Sequence, residues 1–216
     1  KHYEPILINA SAIMAITDAD TGYFKTHYPT VPAYTMSASH PEPNNLDYRI
    51  KSTGNYHLYH GNFSVPENIR IAQYIAKEIA PYTTLPFYIV GHNAYNIDFG
   101  GDNRNITIMD NVSTEELQDL IIKAKSNVLL TFQPTGLKLK LLNALNWGGF
   151  CVVNSNMISG TTVKPTCIVK EDSNSIIESL NMLVSKSWNL EDEELRQVQI
   201  APISNRAAIK PLIDLL

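Results

Sequence analysis

Gln133-Pro134-Thr135-Gly136-Leu137-Lys138-Leu139-Lys140-Leu141-Leu142-Asn143-Ala144-Leu145-Asn146-Trp147-Gly148-Gly149-Phe150-Cys151-Val152-Val153 joins two short apolar runs, 127–132 and 150–154, through a single amphipathic segment. Pro134 and Gly136 mark a tight turn, and the leucines that follow recur at helical spacing, so the stretch reads as strand, turn, helix and strand. At 100° per residue, Lys140, Asn143, Ala144 and Trp147 share one helix face while Leu139, Leu142 and Leu145 lie opposite. Lys138 falls nearer the apolar side, but in the first turn it can swing outward. Two apolar strands linked by one helix are the repeating unit of a parallel sheet covered on both faces.

The pattern extends outward in both directions. Upstream, strands are expected over 56–60, 86–91 and 106–110. A helix over 67–79 has Ser64 as its expected cap and Pro66 in its first turn. Ser113-Thr114-Glu115-Glu116 resembles a capping box opening a helix that carries Leu117, Leu120, Ile121 and Ala124. Downstream, strands over 150–154 and 166–169 precede helices over 173–187, 191–199 and 205–216. The first residues give a smaller unit: a strand over 12–17, a helix over 18–27 with Asp18 or Asp20 near its cap, and a strand over 31–36. Pro41, Pro43, Asn44, Asn45 and Gly54 then give residues 37–55 a linker composition. The expected fold class is α/β, a Rossmann-like doubly wound parallel sheet with a small N-terminal βαβ stub. The expected division is a stub over 1–40, a linker over 41–55 and a main domain over 56–216.

Composition narrows the function classes. With 216 residues, 44% hydrophobic and 18% charged, the chain resembles ordinary globular proteins. Its net charge of −4 and lack of a Lys/Arg run argue against nucleic acid or an anionic membrane as a general partner. No apolar stretch approaches the roughly 20 residues of a membrane span, so a cytoplasmic location is expected, with the inner face of a membrane as the alternative. Cys151 and Cys167 sit in apolar runs and read as small core residues, with a disulfide as the alternative. The chain starts at Lys1 without an initiator methionine, as a cut or processed piece would.

In an open parallel sheet, ligands bind beyond the carboxyl ends of the strands. Those ends carry Gly61 and Asn62, then Gly91, His92 and Asn93, then Asp110 and Asn111, then Gln133, Thr135 and Gly136, and finally Asn154-Ser155-Asn156. They are small and polar, as a backbone approaching a ligand requires, although any strand-to-helix loop is rich in such residues. The helix start after Gly136 offers N–H groups for an anion. Lys140 and Asn143 supply a cation and a hydrogen-bonding amide on one face. No Gly-x-Gly-x-x-Gly or Walker-type loop is present. His57 and His60, three apart on a strand, point to opposite faces and cannot share a metal.

The run from Thr135 to Val153 is similar to a hallmark of group-1, GT-B glycosyltransferases. Those enzymes often read Gly-Thr-Arg-Leu-Lys-x-Leu-Glu-Ala-Met, then a glycine and an apolar strand. Tyr59-His60-Gly61-Asn62-Phe63-Ser64-Val65-Pro66-Glu67-Asn68 resembles the family's first strand and phosphate loop. Ile89-Val90-Gly91-His92 resembles its second strand, and residues 10–20 the last strand and helix of its N-terminal domain. The resemblance implies the C-terminal, nucleotide-sugar-binding half of such an enzyme, transferring a sugar to an acceptor without a metal or other cofactor. By position, Thr135, Gly136 and Leu137 would offer backbone amides, and Lys138 and Lys140 would lie near the diphosphate or donor sugar. Asn143 would hold the ribose hydroxyls, Gly61 and Asn62 would face the diphosphate, and Asp110 and its neighbours would border the base. Gln133, Gly91 and His92 complete the donor-binding set. Asn62 stands where the family often has a cation, and Thr135 and Asn143 where it has a pair of glutamates. These departures leave a second reading open: a nucleotide- or sugar-phosphate-binding module without catalysis. A glycan or lipid-linked acceptor would be held by an N-terminal domain, in envelope polysaccharide assembly. A homodimer through the N-terminal stub is the other partner expected.

Overall fold

The computed structural model describes residues 4–36, 38–41, 47–101, 105–133, 139–159 and 163–213. These divide into two compact units, one drawn from Lys1–Glu42 and Ala201–Leu216, the other from Pro43–Ile200. The last helix, assigned from sequence to the larger domain, therefore groups with the N-terminal segment.

The smaller unit has two parallel strands, β1 (Ile13–Ala15) and β2 (Ala33–Thr35), joined through α1 (Asp18–His27). The helix has its expected bounds, but its cap is Thr17, whose hydroxyl accepts from Asp20 N–H. Ile13, Val31 and Ala33 are its buried apolar centre, with Leu7, Ala10, Phe24 and Tyr28 packed around them. His40 bridges to Ser204 just before α8 (Asn205–Ile213), which accounts for the grouping of the C-terminal segment.

The larger unit contains β3 (His57–His60), β4 (Phe87–Gly91), β5 (Ile106–Asp110), β6 (Ser126–Leu129), β7 (Cys151–Val153) and β8 (Ile168–Val169). All pairs are parallel, in the order β5-β4-β3-β6-β7-β8. The first three strands run one way across the sheet and the last three run the other, so the order reverses between β3 and β6. That is the doubly wound arrangement, and its crevice lies at the reversal.

A short helix, α5 (Ser155–Ile158), follows β7, and both faces of the sheet are covered. On one, Ile71 and Ile75 from α2 (Pro66–Tyr74) and its continuation join Ile176 and Leu180 from α6 (Ser173–Leu183) over Tyr59, Phe87, Ile89, Val128 and Val152. On the other side, α4 (Leu139–Trp147) packs on β6 and against α3 (Thr114–Lys123) and α7 (Leu190–Ile200), with Ile121, Leu141 and Leu145 fully buried. Ser113 caps α3 as its sequence foretells, accepting from Glu116 N–H. The helix after β3 differs. Val65 holds the cap position of α2 without a side-chain bond, because the Ser64 hydroxyl instead accepts from Asn93 Nδ2.

The expected faces of α4 need correction. Ala144 is fully buried, while Leu139 is 56% exposed. The buried side is formed by Leu141, Leu142, Ala144 and Leu145, set by the α3 and α7 contacts. Residues 47–55 are also more than a linker. Lys51 and Ser52 are buried. Lys51 Nζ donates to both carboxylate oxygens of Glu193 at 2.9 and 2.8 Å. Glu193 also accepts from Trp188 Nε1, and these bonds offset the burial that would otherwise raise its pKa, leaving it below the ordinary value.

Arg196 is fully buried and donates to three backbone carbonyls, of Leu145, Gly149 and Thr166, at 3.1, 2.9 and 3.0 Å. Its guanidinium lies over the Trp188 ring, 4.9 Å from the centroid. It thereby ties the end of α4 and the entries to β7 and β8 to α7. Cys151 is buried and Cys167 half-buried, both as free thiols. Burial raises both thiol pKa values, that of Cys167 to about 12. Arg196→Leu should leave three buried carbonyls without their donor. A loss of about 3 kcal/mol or more in urea unfolding is expected.

Candidate functional site

The crevice is built from the carboxyl ends of β3 and β6 and the segments that follow them. β3 emerges at Gly61, whose N–H donates to Val90 O, keeping it in register with β4. Gly91 lies alongside with φ 148°, and a Cβ there would overlap the Gly61 carbonyl oxygen. Glycine at 91 is required on both counts. Asn62 turns the chain by accepting from Ser64 N–H at 2.9 Å, and Pro66 starts α2.

Asn68, in the first turns of α2, holds this loop and reaches across the crevice. Its Nδ2 donates to Asn62 O at 2.8 Å, and its Oδ1 accepts from Lys140 Nζ at 2.7 Å. Lys140 also donates to the Tyr59 hydroxyl at 3.4 Å and sits 5.0 Å from that ring's centroid. Of the residues expected from sequence, Asn62 and Lys140 are brought together through Asn68, with Gly61 adjoining Asn62 and Tyr59 in reach of Lys140. Asn143, one turn on, is half-buried. Thr135, Gly136, Leu137 and Lys138 lie outside the described residues.

On the β6 side, Thr131 is fixed from two directions. Asn154 accepts from Thr131 N at 3.2 Å and donates to Thr131 O at 2.7 Å. The Thr131 hydroxyl donates to Glu67 Oε1 at 3.2 Å, and Phe132 N–H donates to the same oxygen at 2.7 Å. Gln133 is exposed beside them, its N–H donating to Thr131 Oγ1. Phe132 is 42% exposed, with Arg70 over its ring at 5.2 Å and Tyr74 against its edge.

The β4 and β5 ends form a separate polar cluster. His92 Nδ1 lies 2.6 Å from Asn111 Oδ1. Asp110 accepts from Ala94 N–H at 2.7 Å and from Asn111 Nδ2 at 2.9 Å, so both of its oxygens fasten its own loops. Asn93 and Asn111 are left-handed at φ 63° and 52°. Asn tolerates that region, which is why these loops turn so sharply. Asn93 Nδ2 links the cluster to the first loop through Ser64.

Glu67, Asn68, Tyr59 and Thr131 were not among the residues expected from sequence. The signal was the Glu67-Asn68 pair inside a helix start after a glycine loop, which reads as ordinary dipole complementation until its partners 65 and 72 positions away are known.

Two buried histidines bound β3, His57 at its start beside Ser126 and His60 at the end that opens into the crevice. His57 Nδ1 bonds Ser126 Oγ at 2.8 Å, and the Nε2 atoms of His57 and His60 are buried without partners. Burial, with the charge of Lys125 beside one and Lys140 beside the other, lowers His57 to about 4 and His60 to about 3. Both are neutral imidazoles at neutral pH.

The sequence matches no family model and no curated protein. The fold does match solved structures. A sucrose-phosphate synthase from Thermosynechococcus elongatus superposes with a TM-score of 0.62 at 14% identity, over 98% of this chain and 59% of that one. A glycosyltransferase from Rickettsia africae ESF-5 gives 0.68 at 11% identity, over 99% and 65%. A UDP-forming α,α-trehalose-phosphate synthase from Burkholderia vietnamiensis gives 0.65 at 10%, over 99% and 62%. This chain therefore has the Rossmann-like architecture of GT-B glycosyltransferases, over a span of about 60% of these neighbours' length. At these identities the shared property is the fold.

The buried histidines give the fold a pH signature. Their folded pKa values lie below the unfolded value, so their contribution to stability is complete above about pH 6.5 and is lost as pH falls toward 4 and 3. Each should add about 1.4 kcal/mol per pH unit to the slope of unfolding free energy across that window. Urea titrations from pH 7 to 5 should show the slope, and His60→Asn should reduce it. An unchanged slope in the variant would mean that His60 protonates in the folded chain.

Proposed function

We propose that this chain is the donor-binding part of a glycosyltransferase, holding a nucleotide-diphosphate sugar at the reversal between β3 and β6. The observation that carries this is Lys140. A cation from the helix after β6 is brought to the loop after β3 and held there by the Asn68 amide and the Tyr59 hydroxyl. That is where an open parallel sheet binds phosphate-bearing ligands, and an ammonium is suited to a diphosphate as a point charge. Gly61 lets the backbone come close, and Asn143 faces the ribose hydroxyls. The His92–Asp110–Asn111 cluster borders the base. Thr135, Gly136, Leu137 and Lys138, which precede α4 in sequence, complete the proposed donor-binding set. The transfer needs no metal, and the acceptor is a glycan or lipid-linked sugar in envelope polysaccharide assembly. The names of the solved neighbours, all sugar-transferring enzymes and one UDP-forming, support this reading.

One observation favours the second reading, a binding module without catalysis. The strand-end donors Phe132 N–H and Thr131 Oγ1 are engaged by the chain's own Glu67, so they are not offered to a leaving diphosphate. Electrostatic stabilisation of that group is often the largest catalytic term.

Calorimetric titration with UDP, GDP, CDP and ADP tests both. One diphosphate should bind with a Kd on the order of micromolar, and Lys140→Ala and Asn143→Ala should each weaken it by about tenfold. No binding by the folded chain would leave a shared fold without a working donor site. Sugar transfer should be undetectable with these 216 residues alone, because the reaction needs an acceptor-holding partner domain. Robust transfer would show that the chain holds its own acceptor.

A further inference from the structure

We propose that Glu67 is a specificity-determining residue of the crevice, a resident carboxylate that selects against ligands in proportion to their phosphate charge. The inference rests on the nucleotide-binding reading of the crevice and concerns which anions it tolerates.

Glu67 is half-buried in the first turn of α2, on the β3 side of the reversal. Its Oε1 accepts from Phe132 N–H at 2.7 Å and from Thr131 Oγ1 at 3.2 Å, both beyond the carboxyl end of β6. The carboxylate therefore spans the reversal, and its oxygen already occupies donors that a phosphate oxygen would use. The chain has supplied its own anion at that position.

The Tyr59 hydroxyl lies within the field of the Glu67 carboxylate and within reach of the Lys140 ammonium. Burial raises its pKa most, and the Glu67 charge raises it further. The same hydroxyl accepts from Lys140. Glu67 and Lys140 thus act on one spot with opposite signs, and a phosphate brought there is drawn by the ammonium and repelled by the carboxylate. A charge-charge penalty grows with ligand charge, is weakened by salt and vanishes for a neutral ligand. A staple that merely pins α2 to β6 has none of these properties.

The test is calorimetry on the full chain, with UDP, UMP and uridine and the guanine series in parallel. Glu67→Gln keeps an oxygen for Phe132 N–H and removes the charge. It should raise diphosphate affinity about fivefold or more, raise monophosphate affinity less and leave the nucleoside unchanged, and 0.5 M salt should erase the difference, each roughly as screened Coulomb interactions require. Glu67→Ala, which also frees the N–H, should raise diphosphate affinity further, and it serves if the Gln variant does not fold. Binding to the Gln variant where the wild type shows none would support the proposal equally. Unchanged or weaker diphosphate binding in a folded variant overturns it, and in that case weakening by Lys140→Ala leaves the donor-site reading standing. If neither wild type nor variants bind any ligand, the donor-site reading falls and takes this inference with it.

Discussion

The pairing of β3 with β4 on one edge and β6 on the other is the constraint from which the larger unit follows. Every residue of β3 is buried, so its backbone groups must be satisfied by ladders on both sides. That central position forces the chain leaving β3 and the chain leaving β6 to diverge onto opposite faces of the sheet. It also sets Gly61 so close to Gly91 that position 91 cannot carry a side chain. The same burial keeps His57 and His60 neutral: a charged imidazole there would lack both solvent and a counter-ion.

Two of the charges in the crevice are fixed by local hydrogen bonds. Lys140 is held by a neutral amide and a hydroxyl, and Glu67 by a peptide N–H and a hydroxyl. Each stays in place through hydrogen bonds, and neither bond cancels the charge. A buried ion pair of this unit, Lys51 with Glu193, lies elsewhere and is structural: it joins the segment before β3 to α7, with Trp188 on the same carboxylate.

The architecture was legible from the sequence because it depends on near-neighbour patterns. Apolar strands alternating with amphipathic helices specify a doubly wound sheet, and the Ser113 cap and the bounds of α1 follow from a few adjacent residues. Two of the misreadings share one physical origin, a polar side chain with a distant partner. Ser64 looks like a helix cap, yet Asn93 takes its hydroxyl. Lys51 and Ser52 lie in a stretch of linker composition, yet a carboxylate 142 positions away buries the lysine. Within the site, Gly61, Asn62 and Lys140 were visible through strand-end logic. Asn68 and Glu67 were not, because local spacing cannot distinguish a carboxylate facing water from one facing Phe132.

These differences also explain how the fold persists at 10–14% identity to its neighbours. The sheet order needs only apolar strands, helix-forming segments and a glycine where β3 and β4 end together. The chemistry needs particular side chains at a few strand-end positions, which can change without disturbing the sheet. A fold therefore says where a ligand will sit, and the charges there decide which ligand it is. At the reversal of this chain the charged side chains fixed across the two strand ends are Glu67, bound to the Phe132 N–H, and Lys140, bound to Asn68 and the Tyr59 hydroxyl, and the proposed selectivity rests on that pair.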